Sequence, residues 1–263
     1  MKHATFPDLN GKFALVTGAS RRIGIGAAVC LALARQGTNI MFTTWTAYDR
    51  EQPHGADEDG PAALEQALTA SGVRARRIEI DLAHPESAAQ LLDAAIEWAG
   101  LPDILVNNAA HSTLDGFERL DAAALDAHYA VNMRASFLLS VELARRAKVL
   151  GRLSGSIVNM TSGQALGAMP RELAYVATKG ATEAFTLSLA AELAPLSITV
   201  NAVDPGATDT GWMTDKMRCE WAVPSGVPRF NQPEDAARVV VFLASDCARH
   251  ITGQVIHARG SFI

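Results

Sequence analysis

The chain has 263 residues, enough for one large α/β domain without division. Hydrophobic residues make up 49% and charged residues 19%, which supports a sizeable core and excludes disorder. A net charge of −5 argues against a nucleic-acid partner.

The N-terminal MKHATFPDLNGK has no apolar signal core, and no apolar run is long enough to cross a membrane. A cytoplasmic protein with no membrane partner is expected. Cys30, Cys219 and Cys247 are widely spaced, so neither a disulfide framework nor a metal site is expected.

Apolar runs alternate with helical stretches along most of the chain. Phe13–Thr17 reads as the first strand and Ile23–Gln36 as a helix stopped by Gly37. Asn39–Thr44 is the second strand. The acidic Trp45–Gly60, broken by Pro53, Gly55 and Gly60, reads as an exposed loop. Pro61–Ala70 is a helix, Arg76–Ile80 the third strand, and Pro85–Ala99 a helix with proline at its start. Ile104–Asn107 is the fourth strand, followed by one long helical stretch over Asp121–Leu150. Ser156–Met160, Ile198–Val203 and Gln254–His257 are the remaining strands; Leu173–Leu193 and Pro233–Ala244 are the remaining helices. This rhythm predicts a single-domain α/β Rossmann-type fold, a parallel sheet of about seven strands with helices on both faces. Such sheets bind ligands at the carboxyl ends of their strands.

Two stretches at those ends carry chemistry. Thr17 to Gly26 reads TGASRRIGIG, a glycine-rich turn between the first strand and the first helix. Glycines let a backbone approach a pyrophosphate closely, and a helix N-terminus adds N–H groups and partial positive charge. The second stretch, SGQALGAMPRELAYVATK, holds Ser162, Tyr175 and Lys179. Tyr175 and Lys179 are four apart, so a helix puts a phenol and an ammonium on one face. Ser162 ends the strand before them, where its hydroxyl can meet a substrate oxygen.

The turn resembles the TGxxxGxG cofactor motif of the short-chain dehydrogenase/reductase family, lengthened by two residues between Gly18 and Gly24. The resemblance spans Thr17 to Gln254 and is closest to the 3-oxoacyl-thioester (acyl-carrier-protein) reductase branch. It implies dinucleotide contacts from Gly18, Ser20, Arg21, Arg22, Gly24, Ile25 and Gly26, and from Thr44 after the second strand. Asp81 and Leu82 match the adenine support. Asn108, Ala109 and Ala110, in a variant of NNAG, match the nicotinamide side together with Tyr175 and Lys179. Pro205, Gly206, Thr208 and Thr210 match PGxxxT, which holds the carboxamide. The family also supplies a fourth catalytic member, Asn132 in YAVNMRA, which would hold a water that relays protons to Lys179.

The end of the second strand carries Thr43, Thr44 and Trp45 but no acid, and arginines sit in the first turn. That favours NADP(H), with NAD(H) as second choice, because arginine and hydroxyls hold a 2′-phosphate that a carboxylate would repel. The implied protein is an NADP(H)-dependent oxidoreductase that interconverts a ketone and a secondary alcohol, with a 3-oxoacyl thioester as one candidate. The alternative is a non-catalytic dinucleotide-binding redox sensor on the same fold. Residues 211–232, with Trp212, Met213, Met217, Trp221 and Phe230, read either as a substrate lid or as a packed surface helix. His111 lines the same pocket or the surface. The family's usual closing VDGG is replaced by Ala258-Arg259-Gly260-Ser261. That end packs at a subunit interface in related proteins, so a homotetramer or homodimer is the implied assembly, with a small carbonyl or alcohol as the other partner.

Overall fold

The computed structural model describes residues 4–52, 55–211, 213, 215–216 and 230–259. Seven short runs of mostly apolar residues form one parallel sheet: β1 (Phe13–Val16), β2 (Asn39–Thr44), β3 (Ala75–Glu79), β4 (Ile104–Asn107), β5 (Gly155–Met160), β6 (Ile198–Asp204) and β7 (Val255–His257). The order is β3-β2-β1-β4-β5-β6-β7. The strand order reverses between β1 and β4, the switch point beyond whose carboxyl ends such sheets bind ligands.

Successive residues of a strand point to opposite faces, so each strand feeds two cores. Ala14, Val16, Ile40, Phe42 and Val106 face one core, closed by α1 (Ile25–Ala34) and α8 (Pro233–Ala244). Leu15, Met41, Leu105, Ile157 and Val200 face the other, closed by α4 (Ser87–Ala99), α6 (Ser136–Val149) and α7 (Leu173–Leu193). Each fully buried Leu, Ile or Val contributes about 1.5–3 kcal/mol. A third helix, α3 (Gly60–Ala70), adds Leu64 and Leu68 to the first core.

Two regions differ from the sequence reading. Trp45–Gly60 is not simply an exposed loop. It contains a short helix, α2 (Thr46–Glu51), whose Asp49 is buried. Ion pairs that no local pattern announces hold this segment against the glycine-rich turn. The long stretch Asp121–Leu150 is three pieces: α5 (Ala122–His128), a π-helical turn over Tyr129–Ala135, and α6. A π turn widens a helix locally and often marks a functional position. Asn132 lies at its centre.

Candidate active site

The glycine-rich turn is built around backbone crowding. Gly18 adopts φ +74°, and a Cβ there would stand 2.6 Å from the Ala109 Cα. A methyl group on Gly26 would collide with the Gly18 carbonyl and reach 2.7 Å from Asn108 Nδ2. The two extra residues are taken up in a tight turn over Arg21–Gly24, closed by Gly24 N–H donating to the Arg21 carbonyl at 3.0 Å. Helix α1 then starts at Ile25 with no side chain capping it. An uncapped helix N-terminus behind glycines that exclude side chains fits a pyrophosphate.

Thr17 ties this turn to β4: its Oγ1 accepts from Asn108 N and Ala109 N, both at 3.0 Å. The Asn108 amide donates to the Thr17 and Gly18 carbonyls at 2.9 and 2.7 Å. Its side chain is therefore occupied in holding the crevice walls together. Thr43 accepts from Gly18 N at 3.0 Å. Both threonines lie in stretches the sequence singles out, but their partners are distant in the chain and no local pattern reveals them.

Charge around the adenosine end differs from the sequence reading. No acid follows β2 in the chain, yet β3 supplies one. Register pairs Thr44 with Glu79. The Thr44 hydroxyl donates to the Glu79 carboxylate, which also accepts from Thr46 N at 2.7 Å. Both arginines of the turn are engaged by the Trp45–Gly60 segment. Arg22 forms a two-point pair with Asp57 at 2.9 and 3.0 Å, and Arg21 Nε lies 3.8 Å from Asp49. Arg21 also donates from Nη1 to the Thr210 carbonyl at 3.0 Å, bridging the turn and the segment after β6. The Ser20 hydroxyl accepts from Trp45 N at 3.0 Å. Asp81 Oδ1 accepts from Ala83 N at 2.8 Å beside a buried Leu82.

The catalytic candidates meet at the ends of β5 and α7. Ser162 lies just past β5, with its Oγ 3.9 Å from Met169 Sδ. Tyr175 lies in the first turn of α7 and Lys179 one turn later, with Nζ 5.4 Å from the tyrosine ring centre. Lys179 is buried and donates to the Met160 carbonyl at 2.8 Å, its one hydrogen bond among the described residues. Its remaining N–H groups can serve ribose hydroxyls.

Burial dominates the tyrosine pKa here. Burial pushes the Tyr175 phenol above its ordinary value, Glu172 adds to the rise, and the neighbouring Ser162 opposes it. Burial also pulls Lys179 down to about 8. Desolvation is the largest influence on both groups.

Asn132 is locked in place. Its Oδ1 accepts from His111 N at 2.7 Å, and its Nδ2 donates to the His111 carbonyl and the Thr178 hydroxyl, each at 3.0 Å. The π turn thus pins the segment after Ala110 to the catalytic helix. The His111 ring sits between Tyr48 and His128, at centre distances of 5.3 and 4.7 Å. Burial and then His128 lower its pKa. Tyr48, from α2, accepts from Ser112 N at 2.9 Å. The catalytic helix is capped from a distance: Asp115 accepts from Leu173 N and Ala174 N at 2.7 and 2.8 Å.

After β6, Gly206 turns at φ +66°, and the buried Thr208 donates to the Pro205 carbonyl at 2.8 Å. Thr208 thus holds its own loop. Of residues 211–232, positions 212, 214 and 217–229, with Trp212, Met217 and Trp221, lie outside the described residues. Met213 is buried. Among the described residues no cluster could hold a metal, and no helix is long and apolar enough to cross a membrane.

Known proteins are similar to this chain over most of its length. A family model described as Enoyl-(Acyl carrier protein) reductase matches residues 18–261. The "Uncharacterized oxidoreductase YjdA" of Bacillus subtilis (strain 168) is 50% identical over 252 residues, 96% of this chain and 97% of the relative. The 3-oxoacyl-[acyl-carrier-protein] reductase FabG of Aquifex aeolicus is 32% identical over 255 residues, 96% of this chain and 97% of that one. A blue fluorescent protein from a metagenomic library, solved in complex with NADPH, superposes with a TM-score of 0.84 at 33% identity, covering 97% of this chain and 99% of that one. The chain belongs to the short-chain dehydrogenase/reductase family, and is a nicotinamide-dinucleotide-dependent oxidoreductase acting on carbonyl or alcohol groups.

Proposed function

We propose that the protein is an NADP(H)-dependent reductase that interconverts a ketone and a secondary alcohol, with Tyr175 as acid and base. The observation that carries this is the placement of Tyr175 and the buried Lys179 one turn apart on α7, with Nζ 5.4 Å from the tyrosine ring centre, and of Ser162 just past β5. The bound nicotinamide supplies or accepts the hydride. Tyr175 gives the substrate oxygen its proton, and Ser162 hydrogen-bonds that oxygen as charge develops on it. Lys179 holds a positive charge one helical turn from the phenol, and Asn132 fixes the wall that faces it. A 3-oxoacyl thioester is one candidate substrate, supported by the likeness to FabG. No observation favours a non-catalytic redox sensor, which would need no Ser162–Tyr175–Lys179 set.

NADP(H) over NAD(H) rests on Ser20, Arg21 and Arg22 in the turn. A 2′-phosphate would displace Asp49 and Asp57 from the arginines, and Glu79 opposes it. Tenfold or greater preference for NADH in steady-state kinetics overturns this choice. A homotetramer or homodimer is supported by Leu138 and Leu187, exposed on α6 and α7; light scattering after gel filtration reads the mass.

The test of activity is NADPH consumption against ketones and β-ketoesters. Tyr175→Phe is expected to cut turnover by orders of magnitude with cofactor affinity nearly unchanged. Retained turnover in that variant removes Tyr175 from the mechanism.

A further inference from the structure

One cation at the sheet's carboxyl edge has no place in the chemistry above. Arg259 follows β7, and its Nε donates to Asp204 Oδ2 at 2.5 Å. Asp204 ends β6 and is 1% exposed. The same oxygen contacts His257 Nδ1 at 2.9 Å, and Oδ1 accepts from Gly206 N at 2.9 Å. One edge of the guanidinium is therefore held by a satisfied, buried carboxylate.

The rest of Arg259 fills space left by two glycines. Its Cγ would stand 3.0 Å from a Cβ on Gly206, and a Cβ on Gly163 would overlap its Nη2. Gly163 is the residue after Ser162, and Gly206 belongs to the segment matched to carboxamide binding. The guanidinium thus lies along the wall where Ser162 would hold the reacting oxygen. Nη1 and Nη2 make no hydrogen bond among the described residues, and the side chain is 24% exposed. A guanidinium fixed by one edge presents the other as a planar fork suited to a carboxylate.

We propose that Arg259 is a specificity residue that binds a free carboxylate on the substrate, so that the protein prefers a small oxo acid, or the matching hydroxy acid, to the neutral ester or thioester. Adjacent residues place their Cα atoms about 3.8 Å apart. The carboxylate therefore belongs within a few bonds of the carbonyl carbon that Ser162 and Tyr175 serve. This inference rests on the reductase reading and names its substrate class.

The experiment pairs an acid with its ester. Reduction of 3-oxobutanoate and of ethyl 3-oxobutanoate by NADPH is measured with the wild type, Arg259→Gln and Arg259→Lys. The wild type is expected to favour the acid in kcat/KM. Arg259→Gln should lose roughly 10- to 100-fold on the acid, the range for a hydrogen bond to a charged group, and far less on the ester. Arg259→Lys keeps the charge on Asp204 and should fall between. Equal losses on both compounds, or a wild type that favours the ester, overturn the proposal. Circular dichroism melts show whether each variant is folded, and Lys stands in if Gln is not. Calorimetry with 3-hydroxybutyrate reads the anion site without turnover. Binding by the wild type that weakens at least tenfold in the variant supports the fork even if neither ketone is reduced, an outcome that would count against the reductase reading alone. Undetectable binding by the wild type, or binding equal in both proteins, removes the fork.

Discussion

Tyr175 and Lys179 illustrate how burial sets the properties of the reacting groups. With its pKa raised, Tyr175 stays protonated at neutral pH and is ready to donate in reduction. Oxidation needs the phenolate, so its rate should rise with pH from about 6 to 10; a flat profile in stopped assays would count against Tyr175 as the base. Lys179 has a folded pKa of about 8 against an ordinary 10.5. The unfolded chain therefore binds more protons between these values, and stability rises with pH across that window. Below pH 8 the buried charge costs on the order of 3 kcal/mol. Lys179→Met should raise the urea midpoint at pH 7 while abolishing activity, and the advantage should shrink as pH approaches 10.5. A variant less stable at pH 7 would show that the bond to Met160 outweighs the desolvation.

At the scale of the element, α7 carries two catalytic candidates but not its own cap. Glu172 precedes it without a side-chain hydrogen bond, and Asp115 fills that role from the loop after β4. Burial alone would raise the Asp115 pKa, but bonds from Ala174, Leu173 and Gly116 outweigh it and hold the carboxyl below its ordinary value. A depressed carboxylate stabilises the fold above its unfolded pKa, near 3.9, and loses that contribution as pH falls through the folded value. Asp115→Ala should cost about 1–2 kcal/mol at pH 7 by denaturant titration, and the gap from the wild type should close as pH falls through and below 4. A gap that persists at pH 2 would mean that packing, not charge, is lost. The π turn makes a parallel case. Asn132→Ala would unpin His111 from α7, and both kcat and the melting temperature should fall, because the His111 backbone groups lose their partner.

Across the whole molecule, the crevice between β1 and β4 is walled by segments from many parts of the chain. Arg21 reaches Thr210, Tyr48 reaches Ser112, and Thr17 reaches Asn108. A ligand that bridges these walls should stabilise the fold as one unit. NADPH at 100 times its Kd should contribute about 2.7 kcal/mol. For a domain of this size that raises the melting temperature by roughly 5–10 °C. No shift with either NADPH or NADH would remove the crevice from consideration as a cofactor site.

The sequence by itself determined the strand and helix order, the parallel sheet, and the spacing of Ser162, Tyr175 and Lys179, because periodicity and i, i+4 geometry are local. The lengthened glycine-rich turn was legible for the same reason. Only the tertiary structure decided which charges face each other. Glu79 reaches Thr44 through strand register, Asp49 and Asp57 reach the turn's arginines because the Trp45–Gly60 segment folds back onto it, and Asp115 caps a helix far along the chain. Arg259 comes to lie on Gly163 only because β6 and β7 pair at the sheet's edge. The tyrosine and lysine pKa values also belong to the fold, since desolvation exists only once the core has closed around them.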